Sequence, residues 1–185
     1  MALSNKMRRK RVIYLIGLPG VGKTTIGLAI SKLTGYALLD NHLTYREICH
    51  FIPQGTPNAH LLNGKMHLAI LKMLLKSGVG GIICTLSIRL HPTTQIAKKS
   101  VQLAKKMNAE IFFFRIECDW QEHKNRILMP SRKEKTKTNT IKKFKEKLKA
   151  KIFQGLKSYP PIIINNTHLS PQKCALKIIN FLGAK

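Results

Sequence analysis

The run Gly17-Leu18-Pro19-Gly20-Val21-Gly22-Lys23-Thr24 matches the pattern G-x-x-x-x-G-K-[ST] at every fixed position. The chemistry served by that spacing is the binding of phosphate. Glycine lets the chain turn tightly and brings backbone N–H groups up to anionic oxygens with no Cβ in between. Lys23 opens the following helix, whose N-terminus carries roughly half a positive charge, so ammonium, amides and dipole all favour an anion. Thr24 offers a hydroxyl to Mg²⁺. Gly17, Pro19, Gly20, Val21, Gly22, Lys23, Thr24 and Thr25 are therefore the phosphate-binding candidates.

A loop of this kind works only between the right elements. Val12-Ile13-Tyr14-Leu15-Ile16 is a short apolar, β-rich run that ends at Gly17. Thr25-Ile26-Gly27-Leu28-Ala29-Ile30 continues in helical apolar spacing through Leu33. Strand, glycine-rich turn and helix thus follow in the required order.

The remaining chain alternates in the same way. Tyr36 to Asp40 reads as a second strand with Asp40 at its carboxyl end, and Thr44-Tyr45-Arg46-Glu47 fits a capping box that should open a short helix. Thr56-Pro57 opens a longer helix that stops at Gly78. Gly81 to Leu86 is a continuous apolar run suited to a strand buried on both faces, with Thr85 at its carboxyl end. His91-Pro92 breaks the chain before a helix from about Thr93 to Met107, and Glu110 to Ile116 is the fourth strand. Asp119 with Glu122 caps a helix ended by Pro130. Pro161 to Asn165 is the last strand, and Ser170-Pro171 starts the terminal helix. This alternation predicts an α/β class, a parallel sheet with helices on both faces and right-handed crossovers. Ligands of such folds gather at the carboxyl ends of the strands, where Asp40, Thr85, Arg89, Asp119, Asn165 and the glycine-rich loop all fall.

At 185 residues and 44% hydrophobic, the chain is expected to form a single domain over 1–185 with a continuous core. Cys49, Cys84, Cys118 and Cys174 are widely spaced and form no C-x-x-C pair, which suggests structural thiols in a reducing compartment and a cytoplasmic location. No stretch approaches the ~20 apolar residues of a membrane span, so no membrane partner is expected. The net charge of +25, from 33 Lys and Arg against 8 Asp and Glu, fits either a polyanionic partner such as nucleic acid or lysines on solvated faces. In the densest stretch, 132–151, Ile141, Phe144, Leu148 and Ile152 recur at helical spacing, which favours the solvated face.

With these residues in view, the chain resembles the small P-loop kinases of the shikimate kinase, gluconate kinase and adenylate kinase group. The set Asp40-Asn41-His42-Leu43-Thr44, Pro130-Ser131-Arg132-Lys133 and Asn166-Thr167-His168-Leu169-Ser170-Pro171 is similar to bacterial AAA-type, shikimate-kinase-like ATP-binding proteins. The likeness runs over nearly the whole chain from Arg11. It implies a P-loop NTPase fold with five parallel strands in the order 2-3-1-4-5, a short lid at about 129–140, and ATP with Mg²⁺ as cofactors. It implies that Asp40 holds Mg²⁺ through water or takes the proton of an attacking hydroxyl, although an aspartate there can equally cap a helix. Where shikimate kinases place a second acid, His42 stands, which argues against shikimate as the acceptor; imidazole can bind substrate or act as base, or lie on the surface. The third strand carries Thr85 in place of a Walker B aspartate, which leaves Thr24, Asp40, phosphates and water for Mg²⁺.

The resemblance further implies that Arg126 packs on adenine and that Arg132, in the lid, reaches the β- and γ-phosphates, with Lys133 and Lys137 as steering charges. The loop Asn165-Asn166-Thr167 matches the one that holds the adenine edge with backbone groups, and Arg89 faces the acceptor. The reading is an ATP-dependent phosphotransferase acting on a hydroxyl of a small polar metabolite, with Lys23, Asp40 and Arg132 catalytic. The alternatives are a polynucleotide or RNA-directed kinase, or a nucleotide-binding protein without phosphoryl transfer.

Overall fold

The computed structural model describes residues 9–87, 90–130, 140–148, 153 and 155–183. Five strands, β1 (Arg11–Gly17), β2 (Ala37–Leu39), β3 (Gly81–Ser87), β4 (Glu110–Glu117) and β5 (Ile162–Asn165), form one sheet. Its order is β2-β3-β1-β4-β5 and every pairing is parallel, the architecture implied by the P-loop kinase resemblance. The helices are α1 (Lys23–Thr34), α2 (Asn41–Ile48), α3 (Pro57–Lys76), α4 (Leu90–Lys106), α5 (Trp120–Leu128), α6 (Ile141–Leu148) and α7 (Pro171–Gly183).

A parallel strand covered on both faces must be apolar at odd and even positions alike. The central strand meets that demand. Val12, Tyr14 and Ile16 enter one core with Leu71 and Leu75 of α3 and Ala97 and Val101 of α4. Ile13 and Leu15 enter the other, with Ile26 and Ile30 of α1 and Cys174, Ile178 and Leu182 of α7. Each such side chain contributes about 1.5–3 kcal/mol by leaving water. α1 lies so close to the sheet that a Cβ at Gly27 would come within 2.9 Å of Leu38 Cδ1.

Most boundaries fall within a residue or two of the sequence reading, and three shifts have a clear local reason. α2 starts at Asn41 rather than at Thr44, because the Asp40 side chain accepts the His42 N–H and is the N-cap. The Thr44 hydroxyl turns instead to Asn63 Oδ1, 2.7 Å away. β3 continues two residues past Thr85, since Leu86 and Ser87 still pair with Ile16 and Gly17. α4 begins at Leu90 and runs through Pro92, which lies in the first turn where a missing N–H breaks no helical bond. Arg89, Arg132, Lys133 and Lys137, and most of the lid expected at 129–140, fall outside the described residues. No helix among the described residues is long and apolar enough to cross a membrane. All four cysteines are free thiols, and burial pushes Cys84 up to about 12.

Tyr14 places a hydroxyl in the middle of the apolar strand β1, and that group needs partners. It finds His67 Nε2 of α3 at 2.9 Å and Ser100 Oγ of α4 at 2.7 Å. His67 is fully buried, its Nδ1 has no hydrogen-bond partner among the described residues, and desolvation pushes its imidazole down to about 4. Unfolded, the same group titrates near 6.5. Between those values the unfolded chain binds the extra proton, so the His67 contribution is complete above pH 6.5 and is lost as pH falls towards 4. At about 1.4 kcal/mol per pH unit the loss approaches roughly 3 kcal/mol. Urea unfolding at pH 7.5 and 4.5 is expected to show a larger stability loss for the native chain than for His67→Gln. Equal losses would show that His67 does not stay neutral in the folded core.

Candidate functional site

The phosphate-binding candidates sit where β1 ends and α1 begins, at the carboxyl edge of the sheet. Gly20 and Gly22 adopt φ of +92° and +98°, in the left-handed region that side chains rarely enter. Gly22 occupies the N-cap of α1 and brings no side-chain cap, and the first turn holds no acidic residue. The N–H groups that open α1 are thus kept for an outside acceptor. Lys23 is only 9% exposed, and its Nζ donates to the carbonyls of Gly17 at 3.0 Å and Leu18 at 2.9 Å. This donor set fits a polyphosphate.

Elements from distant parts of the chain hold the outer side of this loop. On α5, His123, Arg126 and Ile127 share one face at the i, i+3 and i+4 spacing. Arg126 Nη1 donates to Val21 O at 3.2 Å and to Asn166 Oδ1 at 2.9 Å, its Nη2 donates to Asn166 O at 3.1 Å, and its Nε pairs with Glu122 at 2.6 Å. Asn166, at the end of β5, also donates through Nδ2 to Val21 O at 2.7 Å. His123 Nε2 lies 2.7 Å from Pro19 O. Gly17 packs against β4, where a Cβ would come within 2.6 Å of Ile116 O.

Asn165 and Thr167 form a compact turn beside this brace. Asn165 Oδ1 accepts the Thr167 N–H at 2.9 Å and lies 2.7 Å from its hydroxyl, while Thr167 Oγ1 accepts the Asp119 N–H at 2.8 Å. Their side chains therefore join the β5–α7 connection to the β4–α5 connection.

Asp40 follows β2 directly, and Leu39 pairs with Cys84 of β3. The carboxylate is 6% exposed, and its Oδ1 accepts bonds from the Thr85 hydroxyl at 2.6 Å and the His42 N–H at 3.2 Å. Thr85 Oγ1 in turn accepts the Asn41 N–H at 3.0 Å. Behind it, Asn63 of α3 donates to Asn41 Oδ1 at 2.6 Å and meets the Thr44 hydroxyl. The place of a Walker B aspartate is thus taken by a threonine that orients an aspartate from the neighbouring strand. His42 is half-buried in the first turn of α2.

Sequence reasoning missed Asn63 and His123 as members of this arrangement, and it placed Asn166 in the adenine loop without its bond to Val21. A signal existed for both. Asn63 and His67 interrupt the buried stripe Ala59, Asn63, His67, Leu71, Leu75, and a polar residue at a core position must have a partner. His123 shares the apolar face of α5 with Ile127. Nothing local distinguishes Asn166 from other turn asparagines.

The hard oxygens of Thr24 and Asp40 fit Mg²⁺, which keeps several waters and needs few protein ligands. Among the described residues no group of three or more His, Cys, Asp or Glu gathers as a metal cage.

No family model matches the chain, and neither does any curated protein. Among solved structures it is similar to a sugar kinase from a Janibacter species, with a TM-score of 0.63 at 17% identity over 94% of this chain and 95% of that one. It is similar to the APS kinase of Mycobacterium tuberculosis in complex with AMPPNP and APS, with a TM-score of 0.63 at 13% identity over 95% and 98%. A shikimate kinase from Acinetobacter baumannii in complex with shikimate gives 0.61 at 16% over 98% of both chains. The fold is that of the P-loop small-molecule kinases.

Replacing Thr85 by valine keeps its shape but strips partners from Asp40 and from the Asn41 N–H. Thr85→Val is expected to cost about 1–3 kcal/mol in urea unfolding, and Thr85→Ser much less. Equal stability of both variants and the native chain would mean that this hydroxyl does not organise the site.

Proposed function

We propose that the protein is a phosphotransferase that moves the γ-phosphoryl group of ATP to a hydroxyl of a small polar metabolite. The observation that carries this reading is the arrangement of the phosphate loop. Its glycines take left-handed backbone angles, its helix N-terminus is left uncapped, Lys23 lies inside, and Asp40 is held at the end of the neighbouring strand. The solved structures of similar fold include a sugar kinase, an APS kinase holding AMPPNP with APS, and a shikimate kinase holding shikimate.

In this reading the amides of 20–25 and the Lys23 ammonium bind the β- and γ-phosphates, with Gly17, Pro19 and Val21 shaping the turn. Asp40 accepts the proton of the acceptor hydroxyl as its oxygen bonds to the γ-phosphorus. The bond to the ADP oxygen breaks as that bond forms, and the proton passes from Asp40 to water. Lys23 and Arg132 stabilise the charge that spreads over the transferring group. Mg²⁺, held by Thr24 and Asp40 with water, would neutralise phosphate charge. Arg126, which ties the loop to Asn166, is the proposed stacking partner of adenine beside Asn165 and Thr167. His42 and Arg89 are the proposed acceptor contacts, and the acceptor is polar.

A second reading rests on net charge. Thirty-three Lys and Arg stand against 8 Asp and Glu, so most of the positive charge has no acidic counterpart in the chain and contributes to the field around it. That field steers anionic ATP, and it would also suit a polynucleotide acceptor. Retardation of RNA or DNA that falls steeply with salt supports this second reading, and no retardation at physiological salt dismisses it.

Asp40→Asn is a clean test, because asparagine caps a helix as well as aspartate and can still accept from Thr85 and His42. With an acceptor found by screening sugars, polyols, hydroxy acids, nucleosides and aminoglycosides, Asp40→Asn is expected to lose about 10²-fold or more in kcat with ATP affinity nearly intact. Lys23→Ala is expected to abolish turnover. Full activity of Asp40→Asn would remove the proton-accepting role.

A further inference from the structure

A backbone loop that binds an anion must turn its carbonyls away from the ligand. The peptide group is planar and trans, so a carbonyl and the N–H that follows it point in opposite directions. No cis peptide occurs among the described residues. Fixing a carbonyl on the outside of the loop therefore aims the next amide inward. Val21 O is fixed by two donors, Arg126 and Asn166. At Pro19 O the donor recorded among the described residues is His123 Nε2, at 2.7 Å.

The surroundings of His123 are those of a fixed group. The residue is 3% exposed, and its ring meets that of Phe144 of α6 edge-on with centroids 4.4 Å apart. α5 presses directly on the loop at the same point, where a Cβ on Gly20 would lie 2.7 Å from Ile127 Cδ1 and 3.5 Å from His123 Nε2. A carbonyl oxygen only accepts, so Nε2 carries the hydrogen. Both the neutral Nε2–H tautomer and the imidazolium supply it, and the contact needs no particular charge on the ring.

We propose that His123 is a positioning residue of the phosphate-binding loop, holding the Pro19 carbonyl outward so that the Gly20 N–H faces the phosphates. This role rests on the reading of residues 17–24 as the ATP site. The histidine touches neither nucleotide nor acceptor, and it acts through one peptide plane. Its removal therefore weakens phosphate binding without opening the core.

The test compares the native chain with His123→Phe, which fills the space without a donor, and His123→Gln, whose side-chain amide can return a donor to the same carbonyl. Calorimetry with Mg²⁺ and AMPPNP is expected to show binding about tenfold weaker for His123→Phe, and within about threefold of native for His123→Gln. In ¹⁵N-resolved spectra, the nucleotide-induced shift of the Gly20 amide should be present in the native chain and His123→Gln and absent from His123→Phe. If His123→Phe does not fold, His123→Leu carries the same comparison. Native-like affinity with an intact Gly20 shift in a folded donorless variant overturns the role, and so does a loss that His123→Gln does not restore. A native chain that takes up no AMPPNP removes the reading beneath the role, and the role with it.

Discussion

The structure depends on the polarity of a short piece of backbone. Residues 17–25 must converge their N–H groups on one side, and such a turn survives only if the carbonyls on its other side find donors. Arg126 and Asn166 supply donors to Val21 O, and His123 reaches Pro19 O. These side chains come from α5 and from the residue that follows β5, so the outer side of the loop is held by the part of the chain after β4. Unmet carbonyls there would cost about 1–3 kcal/mol each.

The second centre, Asp40, is organised by the same rule at smaller scale. Its Oδ1 takes the Thr85 hydroxyl and the His42 amide, and Thr85 passes the chain of bonds to Asn41, Asn63 and Thr44. The order β2-β3-β1 makes this possible, because β3 lies between the strand that carries Asp40 and the strand that feeds the loop. One residue thus caps α2 and presents a carboxylate at the carboxyl edge of the sheet. These two duties are compatible, since capping uses only hydrogen-bond acceptance.

The elements legible in the chain were those with strong local physics. The loop motif, the apolar strands and the Thr56-Pro57 helix start follow from backbone freedom, burial and capping, each confined to a few neighbours. The start of α2 was misplaced because two caps compete within five residues. Asp40 takes the amide, and Asn63, nineteen residues away, takes the Thr44 hydroxyl. His123 and Asn166 could not be found by local rules, since their partners Pro19 and Val21 are 104 and 145 residues distant. The sheet order itself came from resemblance and not from periodicity, which is blind to which strands are neighbours.

The central claim is that residues 17–24 enclose a nucleoside triphosphate. Its most direct test is the structure of the protein crystallised with Mg²⁺ and a non-hydrolysable ATP analogue. The β- and γ-phosphates are expected within hydrogen-bond reach of the amides of 20–25 and of Lys23 Nζ, released from the Gly17 and Leu18 carbonyls. A loop without nucleotide at saturating concentration, with Lys23 still bound to those carbonyls, would contradict it.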